Sequence, residues 1–192
     1  MKKNKIYFET NFWAAYEIGN PFEVIDAFFD YAHLDHYKQR LGEEFLYINR
    51  QDVYKKEYPG QVFVFYTALR SFLKACLCLQ YKGKKWKVKQ YSECKSVLHQ
   101  ASLTKEEYAD PFMVFQTAFA EQSLDEFEFF LSEITHLSMS PYTIEFDTDL
   151  ITPYIHLIKM LDASQLMRER GVEKIKKKAL QRSESDDATL SS

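Results

Sequence analysis

The run VFVFYTALRSFLKACLCL, from Val62 to Leu79, decides the fold. It is strongly apolar and holds no glycine or proline, the residues that break a helix. Only Arg70 and Lys74 carry charge, and each would cost roughly 2.5–3.5 kcal/mol at the centre of a bilayer. Wound as a helix, Thr67, Arg70, Ser71 and Lys74 share one narrow stripe. The run reads as the mostly enclosed central helix of a soluble bundle, from about Gln61 to Tyr81, with one wet edge. No membrane span is expected.

The rest of the chain agrees. Five glycines and five prolines punctuate 192 residues, against about one residue in eight in an average protein. Phe, Tyr and Trp make up 16% of positions. Few breakers and many rings imply long helices around a large aromatic core. The expectation is an all-α, single-domain bundle of six or seven helices over residues 1–182. A polar, disordered tail should follow at 183–192. The central helix and a last long helix from Pro153 to Arg170 should sit at its heart. There is no internal repeat.

Helix starts are legible from capping chemistry. Asn20-Pro21-Phe22-Glu23 offers a cap, a proline at the first position and a carboxylate at the third. That helix should run from Pro21 to about Arg40 and stop at Gly42, with Phe22, Ile25, Phe28, Phe29 and Ala32 inward. A weaker helix is expected at 43–56, ended by Tyr58-Pro59-Gly60. Residues 92–100 read as a short helix. Thr104-x-x-Glu107 and Ser123-x-x-Glu126 are capping boxes, and Asp110-Pro111 restarts a helix presenting Phe112, Phe115 and Phe119. Leu124, Phe127, Leu131 and Ile134 keep the spacing of an inward seam. An acidic loop with Glu145, Asp147 and Asp149 precedes Thr152-Pro153, which opens the last helix. A basic helical extension is expected from Val172 to Arg182.

Net charge is −3, so no whole-chain field draws the protein to nucleic acid or membrane. Cys76, Cys78 and Cys94 are odd in number, and two lie in the apolar run, which fits reduced thiols in the cytoplasm. No signal peptide is expected, since Phe8-Glu9-Thr10-Asn11 interrupts the basic start too early.

Metal chemistry in a helical bundle has one sequence signal. Asp30-x-x-His33 and Glu133-x-x-His136 both place a carboxylate and an imidazole on one helical face, the device that di-iron bundles use twice. With 28 acidic residues in the chain, such pairs also arise by chance, and surface or capping residues are the plainer account. His36 projects to the apolar face of its helix, and His156 shares a face with Met160, Ala163 and Met167. Both read as hydrogen-bonded packing residues. Whether His33, His136 and His156 converge is a question for the fold. Cys76 and Cys78 point about 200° apart on a helix, so they cannot grip one ion together. No phosphate loop, nucleophile elbow or HExxH motif is present. The expectation is no catalytic residue, no resident metal and no cofactor.

The clearest binding candidate is the connector KGKKWKVK at 82–89. Lys82, Lys84, Lys85, Lys87 and Lys89 surround Trp86 and Tyr91, and the alternation of Trp86 and Val88 with lysines suggests a short hairpin. Its lysines suit phosphates or an acidic protein surface, and its rings suit stacked bases. Lys84, Lys85, Trp86, Lys87 and Tyr91 are the candidate site. A second basic cluster, Lys174, Lys176, Lys177, Lys178 and Arg182, reads as a solvated helix end.

Phe65-Tyr66-x-Ala68 and Lys74-Ala75 within the central helix resemble the long helix of HEPN-type bundles. These are helical domains linked to nucleic acid and to toxin–antitoxin systems, and the likeness covers about twenty residues. It implies a nucleic-acid-linked domain. Active members carry an Arg followed five to seven positions later by a His; Arg70 is followed there by Ala75, Cys76 and Leu77, so the nuclease motif is missing. The favoured expectation is a non-catalytic protein that binds another macromolecule, foremost a protein or a second copy of itself. Thirteen tyrosines exceed what a core of this size buries with satisfied hydroxyls, and exposed tyrosines favour interfaces. A HEPN-like domain and a metal-dependent bundle enzyme are the alternatives.

Overall fold

Local capping sets where most of the helices begin. The Asn20 side-chain oxygen accepts from the Phe22 amide at 3.1 Å and its amide group donates to Glu23 at 3.0 Å. They open α1, Pro21–Tyr31. Thr104 and Glu107 close a reciprocal box at α4 (Lys105–Ala109), as do Ser123 and Glu126 at α6 (Leu124–Ser138). Each such cap contributes about 1 kcal/mol. Between those two helices lies α5, Phe112–Glu121, where Asp110 accepts from the Phe112 amide at 3.2 Å. Asp149 accepts from the Ile151 and Thr152 amides and starts α7, Ile151–Arg170. The computed structural model describes residues 6–48, 53, 58–89, 102–140 and 149–175. The helix expected at 92–100, most of the acidic loop before Asp149, Cys94 and the tail at 183–192 lie outside them.

The described residues form an all-α bundle of seven helices with one small two-stranded ribbon. The central helix α3 spans Pro59–Leu79 and packs against α1, α5, α6 and a 3-10 turn at Thr10–Phe12. From Thr67 to Cys76 every residue but Arg70 and Lys74 is buried. Length and composition alone would let α3 cross a membrane, but most of it is enclosed by its neighbours. On the far side, α7 packs on α1, α2, α4 and α5.

Five expectations are corrected. The helix from Pro21 does not reach Arg40: Ala32 is extended (φ −153°, ψ 153°), and a new helix, α2, runs Leu34–Tyr47. The break lets the Tyr37 ring fold back and stack on Phe28 at 3.9 Å, with Phe72 on Phe28 at 4.6 Å and Phe65 beside Tyr37 at 5.8 Å. Such aromatic pairs add about 0.5–1.5 kcal/mol each beyond their buried area, which outweighs a few backbone bonds lost at the break.

Gly42 does not end a helix either, and the separate helix expected from Glu43 is the second half of α2. The buried Arg40 guanidinium pairs with Glu44 across Gly42 at 3.2 Å and lies over Phe65 at 3.9 Å. These contacts outweigh the roughly 1 kcal/mol a mid-helix glycine costs. Pro59 and Gly60 belong to the first turn of α3 rather than to a break before it, because proline suits the first helical position. Tyr58 precedes them, its amide donating to the Gln61 side chain at 3.3 Å.

The stripe of α3 expected to be wet is covered. Trp13 Nε1 donates to Ser71 Oγ at 2.9 Å. Glu9 and Glu128 close over the two cations, at 3.4 and 3.0 Å from Glu9 to Arg70 and Lys74 and 3.1 Å from Glu128 to Arg70. Two anions on two cations leave the stripe neutral, and the flanking segments exclude most water from it. Finally, α7 does not extend as a helix from Val172. Gly171 takes φ 76°, ψ 158°, a conformation essentially confined to glycine, and turns the chain into strand β2, Val172–Lys174.

Candidate interaction surfaces

The basic connector leaves the C-terminal end of α3 through a chain of turns and becomes strand β1, Trp86–Val88. Its partner is β2, antiparallel, with Trp86 opposite Lys174, Lys87 opposite Glu173 and Val88 opposite Val172. The strand forms as the alternation suggests, but it closes across the molecule instead of as a local hairpin. Lys89 donates its amide to the Gly171 carbonyl at 3.0 Å, and Ile175 to that of Lys85 at 2.9 Å, extending the ribbon at both ends.

Of the candidate residues, Lys84, Lys85 and Lys87 are exposed on this ribbon. Lys87 pairs with Glu173 at 3.2 Å. Trp86 is half-buried: Phe22 of α1 sits 5.1 Å from its ring, and the Lys174 ammonium lies 5.3 Å from it, within range of cation–π attraction. The ring anchors the ribbon to α1 and is already engaged on this chain. Tyr91 lies outside the described residues. What remains is a cluster of solvated lysines around a turn, able to meet an anionic surface.

The histidines stand apart in role. His33 is exposed at the break between α1 and α2, and His136 is exposed near the end of α6. His36 was expected on the apolar face but is exposed, its ring edge-on to Tyr37 and Phe65. Among the described histidines only His156 is buried, and it pairs with Glu121 at 2.9 Å, locking α7 to the end of α5. Asp30 is taken by Arg168. Among the described residues no three His, Cys, Asp or Glu side chains are grouped to hold a metal ion. Cys76 is sealed in the core, where burial pushes its thiol well above the ordinary range. Cys78 is half-buried and pushed up for the same reason. Neither is a ready nucleophile.

Other ionisable groups are tied into structural pairs. Asp162, fully buried, meets the Lys38 ammonium and accepts from Ser102 Oγ at 2.6 Å. Lys159 bridges to Glu107 at 2.8 Å. A cleft of about 220 Å³ between α1, the end of α3 and α7 holds Asp26 and Arg168 among apolar side chains. Burial raises the Asp26 carboxyl, Arg168 at 3.7 Å opposes that, and Asp30 and Glu23 add to it.

A second surface, absent from the sequence reading, is built by the chain ahead of α1. Glu17 accepts from the Phe8, Glu9 and Thr10 amides at 2.7, 3.3 and 2.9 Å, and Thr10 Oγ1 accepts from Ile18 at 2.7 Å. This stitching tolerates positive φ at Glu9 and Ala15 and fixes the intervening turn as an ordered element. The turn displays Phe12, which packs edge-to-face on Phe63 of α3 with centroids 6.4 Å apart. Both are more than half exposed, at 53% and 55%. Next to Phe12, Trp13 meets Tyr31 edge-on at 6.0 Å, and Tyr31 is also exposed. Phe63 with Phe12 and Trp13 with Tyr31 are thus two ring pairs, joined through the chain at residues 12 and 13 into one aromatic row. Asn11-Phe12-Trp13 was the available signal, with no periodic element around it to give it a face.

The two surfaces lie toward opposite ends of α3, since Phe63 and Leu79 are about 24 Å apart along the helix. Compared with known proteins, the chain matches no family model, no curated protein and no solved structure.

Proposed function

We propose that the protein is a non-catalytic binding module that holds a protein partner through the aromatic row of Phe63, Phe12, Trp13 and Tyr31. The observation that carries this reading is the Phe12–Phe63 pair: two phenyl rings more than half exposed on elements held in place by Glu17 and the α3 core. Ordered exposed aromatics make strong anchors because they bury large area at little entropic cost. The non-catalytic part rests on Asp162, His156 and Arg70, which are committed to pairs that hold helices together. A cytoplasmic setting fits the free thiols of Cys76 and Cys78.

Affinity capture with wild type, Phe12→Ala/Phe63→Ala and Lys84→Ala/Lys85→Ala/Lys87→Ala tests it. A partner kept by wild type and the lysine variant but lost by the aromatic variant, by a factor of about 100 or more in Kd, is the expected result. A partner kept by the aromatic variant overturns the assignment. A gel shift of wild type with RNA or DNA that the lysine variant abolishes would move the function to the ribbon and to nucleic acid.

A further inference from the structure

The first turns of α6 and α7 enclose a groove of about 410 Å³. Phe130, Leu150 and Pro153 form its buried floor, and Phe129, 52% exposed, stands at its edge. Three carboxylates, Asp125, Glu126 and Asp149, rim it, and among the described residues no lysine or arginine lines it. Two of these carboxylates are held ionised by the helix starts they cap. The Ser123 amide and hydroxyl hold Glu126 below the usual range. Hydrogen bonds from Thr152 and from the Ile151 amide do the same for Asp149. In the wall, the Gln122 side-chain oxygen is buried with no hydrogen-bond partner among the described residues. An apolar floor, an anionic rim and an unpaired acceptor describe a receptor for a cationic, partly apolar segment.

The same chain carries such a segment. From Lys174 the sequence continues Ile175, Lys176, Lys177, Lys178, Ala179, Leu180, Gln181, Arg182, alternating clustered cations with apolar side chains. Ile175 is exposed where it leaves β2. The segment leaves the ribbon at the end of α7 opposite the groove. Pro153 lies at the groove and Gly171 at the start of the ribbon, about 27 Å apart along α7 at roughly 1.5 Å per residue. Lys176 to Lys178 follow Ile175 within about 10 Å of fully extended chain. A second molecule can bring its groove to them without that span.

We propose that residues 176–182 of one copy dock in the acidic-rimmed groove of a second copy, joining the protein to itself head to tail. Donor and receptor lie at opposite ends of α7, so the contact is heterologous and each copy keeps one of each free for the next. The contact is largely electrostatic at its rim and weakens with salt.

Sedimentation of the full-length chain tests this with two variants. Asp125→Lys/Phe129→Ser spoils the groove and keeps the segment. Lys176→Glu/Lys177→Glu/Lys178→Glu spoils the segment and keeps the groove. All the groove substitutions are at exposed positions, and circular dichroism verifies that both variants fold. Wild type is expected to grow in mass with concentration and to fall back to monomer between about 0.05 and about 0.5 M salt. Each variant alone should stay monomeric. Their equal mixture should reach twice the monomer mass and stop there, because the first supplies a segment, the second a groove, and neither can propagate. A wild type that remains monomeric at its highest soluble concentration overturns the proposal, as do variants that associate like wild type or a mixture that stays monomeric.

Discussion

The Tyr37 hydroxyl donates to the Phe28 backbone carbonyl at 2.7 Å while the two rings stack at 3.9 Å. One residue pair therefore closes the end of α1, fixes the turn into α2 and fills the centre of the core. Burial pushes the Tyr37 phenol far above its ordinary range, so it stays protonated as a donor. Tyr37→Phe keeps the stack and removes the donor, and should lower stability by about 1–2 kcal/mol. Tyr37→Ala removes both, at about 3–5 kcal/mol. Urea unfolding followed by fluorescence measures each. Equal losses for the two would mean that the hydrogen bond, not the ring, carries the pair.

Leu69 and Phe127 are buried on α3 and α6, two helices that pack together. Leu69→Ala and Phe127→Ala should each cost about 2–5 kcal/mol, the transfer term plus the cavity left behind. A shift below about 0.5 kcal/mol in either would place that side chain outside the core.

Gly171 marks the switch from α7 to the ribbon. An added methyl has ordinary room, its nearest neighbour being the Lys89 side chain at 3.7 Å, so the effect isolates backbone strain. Gly171→Ala should cost about 1–3 kcal/mol. Amide exchange at Lys89 and Ile175, whose N–H groups close the ribbon, should speed up more than exchange in α6. Uniform acceleration everywhere would mean that the ribbon is not separable from the bundle.

Acid should loosen α4 from α7 before it melts the core. Burial disfavours the charged form of Glu107, but the Lys159 ammonium and the Thr104 amide outweigh it and hold the carboxyl below its ordinary value of 4.5. A carboxyl with a depressed folded pKa stabilises fully above its unfolded pKa, and that contribution is lost as pH falls through the folded value. Thermal melts should therefore drop in Tm below pH about 4.5, and Lys159→Met should flatten this acid limb while lowering Tm at neutral pH. An unchanged acid limb in the variant would assign the drop to other carboxylates.

The all-α class and the starts of α1, α4, α5, α6 and α7 were determined by the sequence alone. The Asn20, Thr104 and Ser123 caps work as read because a capping side chain meets amides two or three residues away. Scarce breakers and apolar stripes placed α3 and α7 at the centre for the same local reason: period and turn chemistry are set by neighbours in the chain. What covers each face was decided only by tertiary structure. Trp13 reaches Ser71, and Arg70 reaches Glu128, each across 58 positions, which turned the stripe read as wet into a closed one. Packing also broke the first helix at Ala32, where stacking of Tyr37 on Phe28 outweighed helix continuity. It also gave β1 a partner in β2 rather than in its own connector. Engagement of Trp86 by Phe22 and exposure of Phe12 beside Phe63 follow from that packing. Burial is a property of the space around a side chain, and that space is filled by residues far away in sequence.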